Sequence, residues 1–209
     1  NRTTRYRYDE RGYLAARVDP AGGAAQMTYD DQGRLAATTD RQGLTTRYTY
    51  LADGQIERQT FADGSTVAYR YTARGKVAQI DDSLTGVTSF TYDEVDKPTS
   101  VTYQDGRSLA YRYDADRRLA ALRYPDGSEI QYDYDGAGRL TTVTDGADQP
   151  LITYRYDTVG RLMTEQRSNG VVTTTTYTAT SQIETVVTSL NGAPVASYRY
   201  YYTPTGQIL

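Results

Sequence analysis

The sequence predicts an all-β protein of repetitive antiparallel β-hairpins, about 21 residues per repeat, forming a curved or spiral β-sheet wall. Three observations predict it. An aromatic anchor recurs in phase along the chain, and two tight-turn signals recur between successive anchors. The segments between turns are rich in Tyr, Thr and Val, which suit a pleated, half-buried surface.

The anchor comes first. Residues 154–162 read YRYDTVGRL, and similar stretches align on their second aromatic at Tyr8, Tyr29, Tyr50, Tyr71, Tyr92, Tyr113, Tyr134, Tyr156, Tyr177 and Tyr202. The spacing is 21 six times, then 22, 21 and 25. Such phasing makes residues 1–209 a single array of about ten repeats, in which each unit contacts its neighbours. The first aromatic of the pair is Tyr6, Tyr48, Tyr69, Tyr111, Tyr132, Tyr154 or Tyr200 in the copies that keep Tyr there, so the two anchor rows take 17 of the 22 tyrosines.

The turns follow from their residues. In the copy at 30–50, a turn Asp30 to Gly33, a strand Arg34 to Thr39, a turn Asp40 to Gly43 and a strand Leu44 to Tyr50 close one period. Asp at the first position of a type I turn accepts a hydrogen bond from the backbone two residues on. Gly at the fourth takes the left-handed conformation and forms a bulge. Asp9 with Gly12, Asp30 with Gly33, Asp135 with Gly138 and Asp157 with Gly160 are therefore expected turn pairs. Pro20, Pro125 and Pro204 fall at the second turn position, where the fixed φ of proline fits. Pro98 instead takes the Leu position after a turn without Gly, Asp93 to Asp96, which predicts a locally irregular copy or an exposed strand end.

The strands have two faces. In each Y-x-Y both rings lie on one face, and the residue between them, Arg7, Arg70, Arg112 or Arg155 in several copies, lies on the other. Two ladders of rings packing on Leu14, Leu35, Ile56, Val77, Leu119, Leu140, Leu162 and Ile183 are the expected core. Some twenty strands, each rotated by roughly 20 to 25° from the last, do not stay flat, and a winding ribbon is the natural outcome. A propeller would need a 42-residue alternation, and the sequence has none.

Composition narrows the function classes. Leu, Ile, Val and Phe make up about a sixth of the chain, a low share that the 22 Tyr offset, and the net charge is -3. Scattered basic residues and a pI of 5.1 exclude a nucleic-acid partner, and no apolar stretch approaches a membrane span. With no His and no Cys, the usual triads, thiol nucleophiles and zinc sites are excluded, and no cofactor or enzymatic role is expected.

The Y-x-Y-D-x-x-G-R-L copies with a following D-G turn resemble the YD repeat of the Rhs family, which includes Rhs and wall-associated polymorphic toxins, B and C components of Tc toxins, and teneurins. The likeness covers essentially the whole chain. It is strong through the copies at Tyr134 and Tyr156, and weaker at Tyr71, Tyr177 and Tyr202, where Thr replaces Asp. It implies a hollow shell of spiralling β-ribbon enclosing a C-terminal toxin or effector domain, secreted or at the bacterial cell surface. That domain or the delivery machinery would be the partner, and the end strands invite pairing with another copy. The shells of the family have more than ten repeats and usually a core-terminal motif. The chain ends one turn into a hairpin, at Gly206-Gln207-Ile208-Leu209, and reads as a fragment of a larger protein.

Chemistry has to be sought among the recurring side chains. Paired carboxylates occur at Asp30-Asp31, Asp81-Asp82 and Asp133/Asp135. The repeated Asp is expected to serve its turn, and Asp81-Asp82 to lie in a lengthened, solvated loop to Gly86 that leaves room for a cation. Arg34, Arg139 and Arg161 after the turn Gly, with Arg118, either meet an anionic glycan or peptide or lie over Tyr faces beside carboxylates, and the second is preferred. The rival to a shell is a carbohydrate-binding or adhesion module using the aromatics off the anchor rows: Tyr13, Tyr103, Tyr124, Tyr198 and Tyr201.

Overall fold

A computed structural model describes residues 3–209 of the chain. The described residues form nineteen β-strands and no helix, in two compact units, the first ending at Ser108 and the second starting at Leu109. The first holds β1 (Arg5–Tyr8), β2 (Leu14–Val18), β3 (Ala24–Tyr29), β4 (Leu35–Thr39), β5 (Thr45–Tyr50), β6 (Ile56–Thr60), β7 (Thr66–Tyr71), β8 (Val77–Asp82), β9 (Gly86–Tyr92) and β10 (Pro98–Thr102). Each of β1 to β9 pairs antiparallel with the next.

The second unit repeats the scheme. It holds β11 (Ser108–Tyr113), β12 (Leu119–Arg123), β13 (Glu129–Tyr134), β14 (Leu140–Asp145), β15 (Pro150–Tyr156), β16 (Leu162–Arg167), β17 (Val171–Tyr177), β18 (Ile183–Leu190) and β19 (Ala193–Arg199). Again every strand pairs antiparallel with its successor.

The turns have the geometry that their residues favour. At the Asp30 turn, the Gly33 N–H donates to the Asp30 carbonyl at 3.0 Å, and the Asp30 N–H donates to the Arg34 carbonyl at 2.9 Å. Asp30 Oδ1 accepts from the N–H groups of Gln32 and Arg34. Gly33 sits at φ 80°, and the extra residue shifts the register at Thr28/Tyr29. Asp96, Arg117, Asp148 and Ser181 hold the same left-handed position without Gly, at φ between 58° and 65°.

Of the two outcomes expected at Pro98 the exposed strand end is the one found, and the turn before it stays regular because Asp96 takes the left-handed position and the Asp93 N–H still reaches the Lys97 carbonyl at 2.9 Å. Two expectations need correction. Asp81 and Asp82 are not in a loop. They end β8, opposite Val87 and Gly86, and the Asp82 carboxylate accepts from the N–H groups of Leu84 and Thr85, so it closes a short turn.

The second correction concerns the core. A single sheet has no second layer to press on, so the expected aliphatics Leu14, Leu35, Ile56, Val77, Leu119, Leu140 and Leu162 are only half-buried, and Ile183 is exposed. Among the described residues the buried ones are Ala37, Ala121, Val143 and Thr144. Ala37 and Ala121 lie opposite Arg47 and Arg112 on the arginine face. On the tyrosine face, cross-strand partners such as Tyr69 with Ile80, Tyr111 with Leu122 and Tyr132 with Val143 meet directly.

Candidate functional site

The densest chemistry lies along the edge formed by the Asp-x-x-Gly turns, where each repeat is fastened to the one before it. The second anchor tyrosine turns its ring onto the preceding repeat and donates its hydroxyl to a backbone carbonyl there. Tyr29 donates to Leu14, Tyr50 to Leu35, Tyr71 to Ile56, Tyr92 to Val77, Tyr134 to Leu119, Tyr156 to Leu140, Tyr177 to Leu162 and Tyr202 to Ile183, all at 2.7–3.0 Å. The receiving residue is the aliphatic position expected to pack under the ring. Its carbonyl, rather than its side chain, is the recurring contact.

An arginine closes the clamp. Arg34, Arg118, Arg139 and Arg161 lie over the rings of Tyr50, Tyr134, Tyr156 and Tyr177, 4.5–4.7 Å from the centroid. Each is also held at 2.6–2.7 Å by the Asp of its own turn, Asp30, Asp114, Asp135 or Asp157. The turn aspartates are therefore fully engaged, Oδ1 by two backbone N–H groups and Oδ2 by the guanidinium. The Arg139 guanidinium and then its backbone N–H hold Asp135 below the usual carboxylate value, and the Arg161 N–H is the foremost cause of the same shift at Asp157. Burial pushes the phenols of Tyr50, Tyr71, Tyr132 and Tyr154 above theirs.

The first-row rings stand inside this frame. Tyr48, Tyr69, Tyr111, Tyr132 and Tyr154 are half-buried on the tyrosine face. Tyr6 and Tyr8 sit on β1, which pairs with β2, and are 55% and 64% exposed. Tyr113 lies at the same second-anchor position, and Tyr200 is half-buried beside the Glu184 carbonyl, which accepts its N–H.

The five off-row tyrosines do not form one platform. Tyr13 occupies the clamp position that Arg34 holds a repeat later, and stacks on Tyr29 at 4.9 Å with Arg11 over its other face at 5.0 Å. Sequence reasoning missed that equivalence, though Tyr13 directly follows Gly12 as Arg34 follows Gly33. Tyr103 and Tyr124 are exposed first residues of tight turns, closed by the N–H groups of Gly106 and Gly127. Tyr198 is exposed on β19, and Tyr201 is exposed beyond it, lining an open groove with Tyr202 and Arg199.

Nothing in this arrangement is poised for acid–base work. Asp30, Asp135 and Asp157 face guanidinium groups, not a second carboxylate across a cleft. Among the described residues no three His, Cys, Asp or Glu are grouped to hold a metal ion, and no buried side-chain N or O atom lacks a hydrogen-bond partner. What the arrangement does is fasten one repeat to the next, through a charge-assisted turn, a ring and a hydroxyl.

The family model described as the teneurin YD-shell matches residues 42–209, and that of the RHS repeat matches residues 29–50. No curated protein matches. Among solved structures, the TcdB2-TccC3 crystal structure is similar over 100% of this chain at 16% identity, with a TM-score of 0.72. A Photorhabdus luminescens Tc holotoxin pore structure is similar over 99% at 17% identity, with a TM-score of 0.71. This chain spans 14% and 13% of the length of those two chains. The likeness at that identity is one of fold.

Proposed function

The chain belongs to the teneurin YD-shell family, and from that premise we propose that it is a wall segment of a toxin shell, whose work is to enclose a C-terminal toxin or effector domain for delivery outside the producing cell. The observation that carries this reading is the use made of the recurring polar groups. A catalytic or binding site concentrates chemistry at one place, whereas here Asp, Arg and Tyr hydroxyls recur in copy after copy and are consumed by the join between repeats. Stiff joins repeated along a ribbon suit a barrier.

The mechanism is steric and kinetic. A wall of paired strands keeps proteases and solvent components from the enclosed chain, and holds that chain unfolded until release. The tie to TcdB2-TccC3 structures supports a place in a larger toxin assembly, with the enclosed domain as the partner. The repeats themselves catalyse nothing.

Limited proteolysis of the complete parent protein tests the reading. The C-terminal domain survives protease in the presence of the repeats and is digested when they are deleted. Equal digestion in both forms rejects it.

A further inference from the structure

We propose that β6 is the seam of the first unit, the strand at which the ladder opens locally while its neighbours stay paired. The turns on one edge of this unit are tied in succession by cationic side chains. Arg11 donates to the carbonyls of Asp30 at 2.7 Å and Asp31 at 3.2 Å. Arg34 donates to the Leu51 carbonyl at 3.2 Å while covering Tyr50. Arg74 donates to the Glu94 carbonyl and lies 3.5 Å from the Asp96 carboxylate. The step from the turn at Leu51 to the turn at Thr72 is different: its tie is a neutral one, the Gln55 amide on the Gly75 carbonyl at 2.8 Å. Leu51 and Gln55 stand where Asp30 and Arg34 stand a repeat earlier, so the charged clamp is missing.

The opposite edge weakens beside the same strand. There Arg41 meets Asp19 at 2.5 Å, and Ser83 and Thr66 exchange hydrogen bonds at 2.8 and 2.9 Å. Between the turns at Asp40 and Phe61 the described residues make no such tie. An open groove of about 480 Å³ lies there instead, with Leu44 and Phe61 exposed along it. The join between β5 and β6 thus lacks a tie at one end, and that between β6 and β7 lacks the charged clamp at the other, where the Tyr71 hydroxyl on the Ile56 carbonyl at 2.7 Å and the Gln55 amide are what remain.

Two further properties belong to β6 itself. On the tyrosine face it presents Gln59 to Tyr48 and Val67, where β8 presents Ile80 to Tyr69. On the other face, register places Arg58 between Arg47 of β5 and Arg70 of β7 along a diagonal. All three are exposed, and unlike the turn arginines they make no ion pair or side-chain hydrogen bond. The carboxylates near them are Glu57, which accepts the Thr49 hydroxyl at 3.3 Å, and Asp81, opposite Ala68. Like charges on adjacent strands oppose pairing, and regions with few apolar contacts are those that open first.

Residue-resolved hydrogen exchange on the 209-residue chain tests this. The ladder amides of β6 and those paired with it exchange about tenfold faster than the ladder amides joining β3 to β4 and β8 to β9. Installing the missing clamp with Leu51→Asp and Gln55→Arg together slows β6 about fivefold, the worth of one partly exposed ion pair with a cation–π contact. The reciprocal pair, Asp30→Leu with Arg34→Gln, extends fast exchange to the β4–β5 join. Uniform protection across β3 to β9, or a β6 rate untouched by the installed clamp, overturns the proposal. The wild-type profile decides alone if a variant does not fold.

Discussion

Removing one oxygen atom at Tyr156 tests whether the repeats are held by their ring-to-backbone joins. The Tyr156 hydroxyl donates to the Leu140 carbonyl at 2.8 Å, and its ring carries Arg139 at 4.7 Å. Tyr156→Phe keeps the ring and the arginine but abolishes the donor. A hydrogen bond of this kind contributes about 1 kcal/mol net, so the opening equilibrium of the β14–β16 region rises about fivefold. Tyr156→Ala also loses the ring. Full burial of such a ring is worth roughly 3 to 5 kcal/mol on truncation, and a half-buried one about 2 kcal/mol. Because arrays lose stability repeat by repeat, amide exchange within β14, β15 and β16 is a better measure than a global midpoint. Adding Arg139→Leu separates the parts: it removes the Asp135 ion pair in either background, but its cation–π share is lost only where the ring survives, so its effect is larger beside Tyr156→Phe than beside Tyr156→Ala. A neutral Tyr156→Phe together with strict additivity in the Ala background refutes the clamp as the source of cohesion.

Other consequences are as direct. Tyr13→Arg, which writes the usual clamp residue into the first copy, leaves stability within about 0.5 kcal/mol, whereas Tyr13→Ala lowers it by about 1 kcal/mol, as urea unfolding of each variant reports. Gly33→Ala is costly on two counts, a left-handed φ of 80° and a new Cβ 2.3 Å from the Tyr13 hydroxyl, and lowers stability by more than about 1 kcal/mol in the same assay. Asp96→Gly relieves the left-handed φ of 64° and gives up only the partly exposed 3.5 Å contact with Arg74, a pair of small worth, so it raises the urea midpoint. Across pH, Asp30, Asp114, Asp135 and Asp157 titrate below their ordinary value, so their contribution is complete above it and is lost as pH falls through the folded value, below about 4. The raised tyrosines act at the other end: their neutral rings stabilise the fold up to about pH 10, and that contribution is lost as pH climbs through the folded value. The chain has no histidine, so urea midpoints stay flat between about pH 5 and 8, and a step in that range contradicts this account.

Much of the architecture was legible because it is local. A period of 21, an Asp that must cap its own turn and a Gly that must adopt positive φ are decided within a few residues, and the hairpins follow. Contacts between repeats were harder to read. Pleating alone places the Tyr rings over the aliphatic side chains, but the bulge before each second anchor redirects that ring toward the Leu carbonyl, a partner 15 residues back in most copies. Counting Leu and Ile as core assumed a second layer, which a single sheet does not supply. The left-handed Asp96, Arg117, Asp148 and Ser181 carry no compositional mark, since only the surrounding hairpin demands that conformation. Asp81 and Asp82 read as a lengthened loop because Gly86 comes one residue late, yet both pair across with β9. At the candidate site the arginine over tyrosine was legible as one of two alternatives; the tyrosine standing in for it at position 13 was not.

The ring-to-carbonyl join has a direction. Each of the eight joining tyrosines, from Tyr29 to Tyr202, reaches backward along the chain, so a repeat is finished by the one that comes after it. A chain emerging from the ribosome would therefore complete its wall one hairpin at a time, each step waiting about 15 residues for the tyrosine that locks it. Growth of the ladder needs no distant partner, while reading the same residues in reverse order would break the link at every copy.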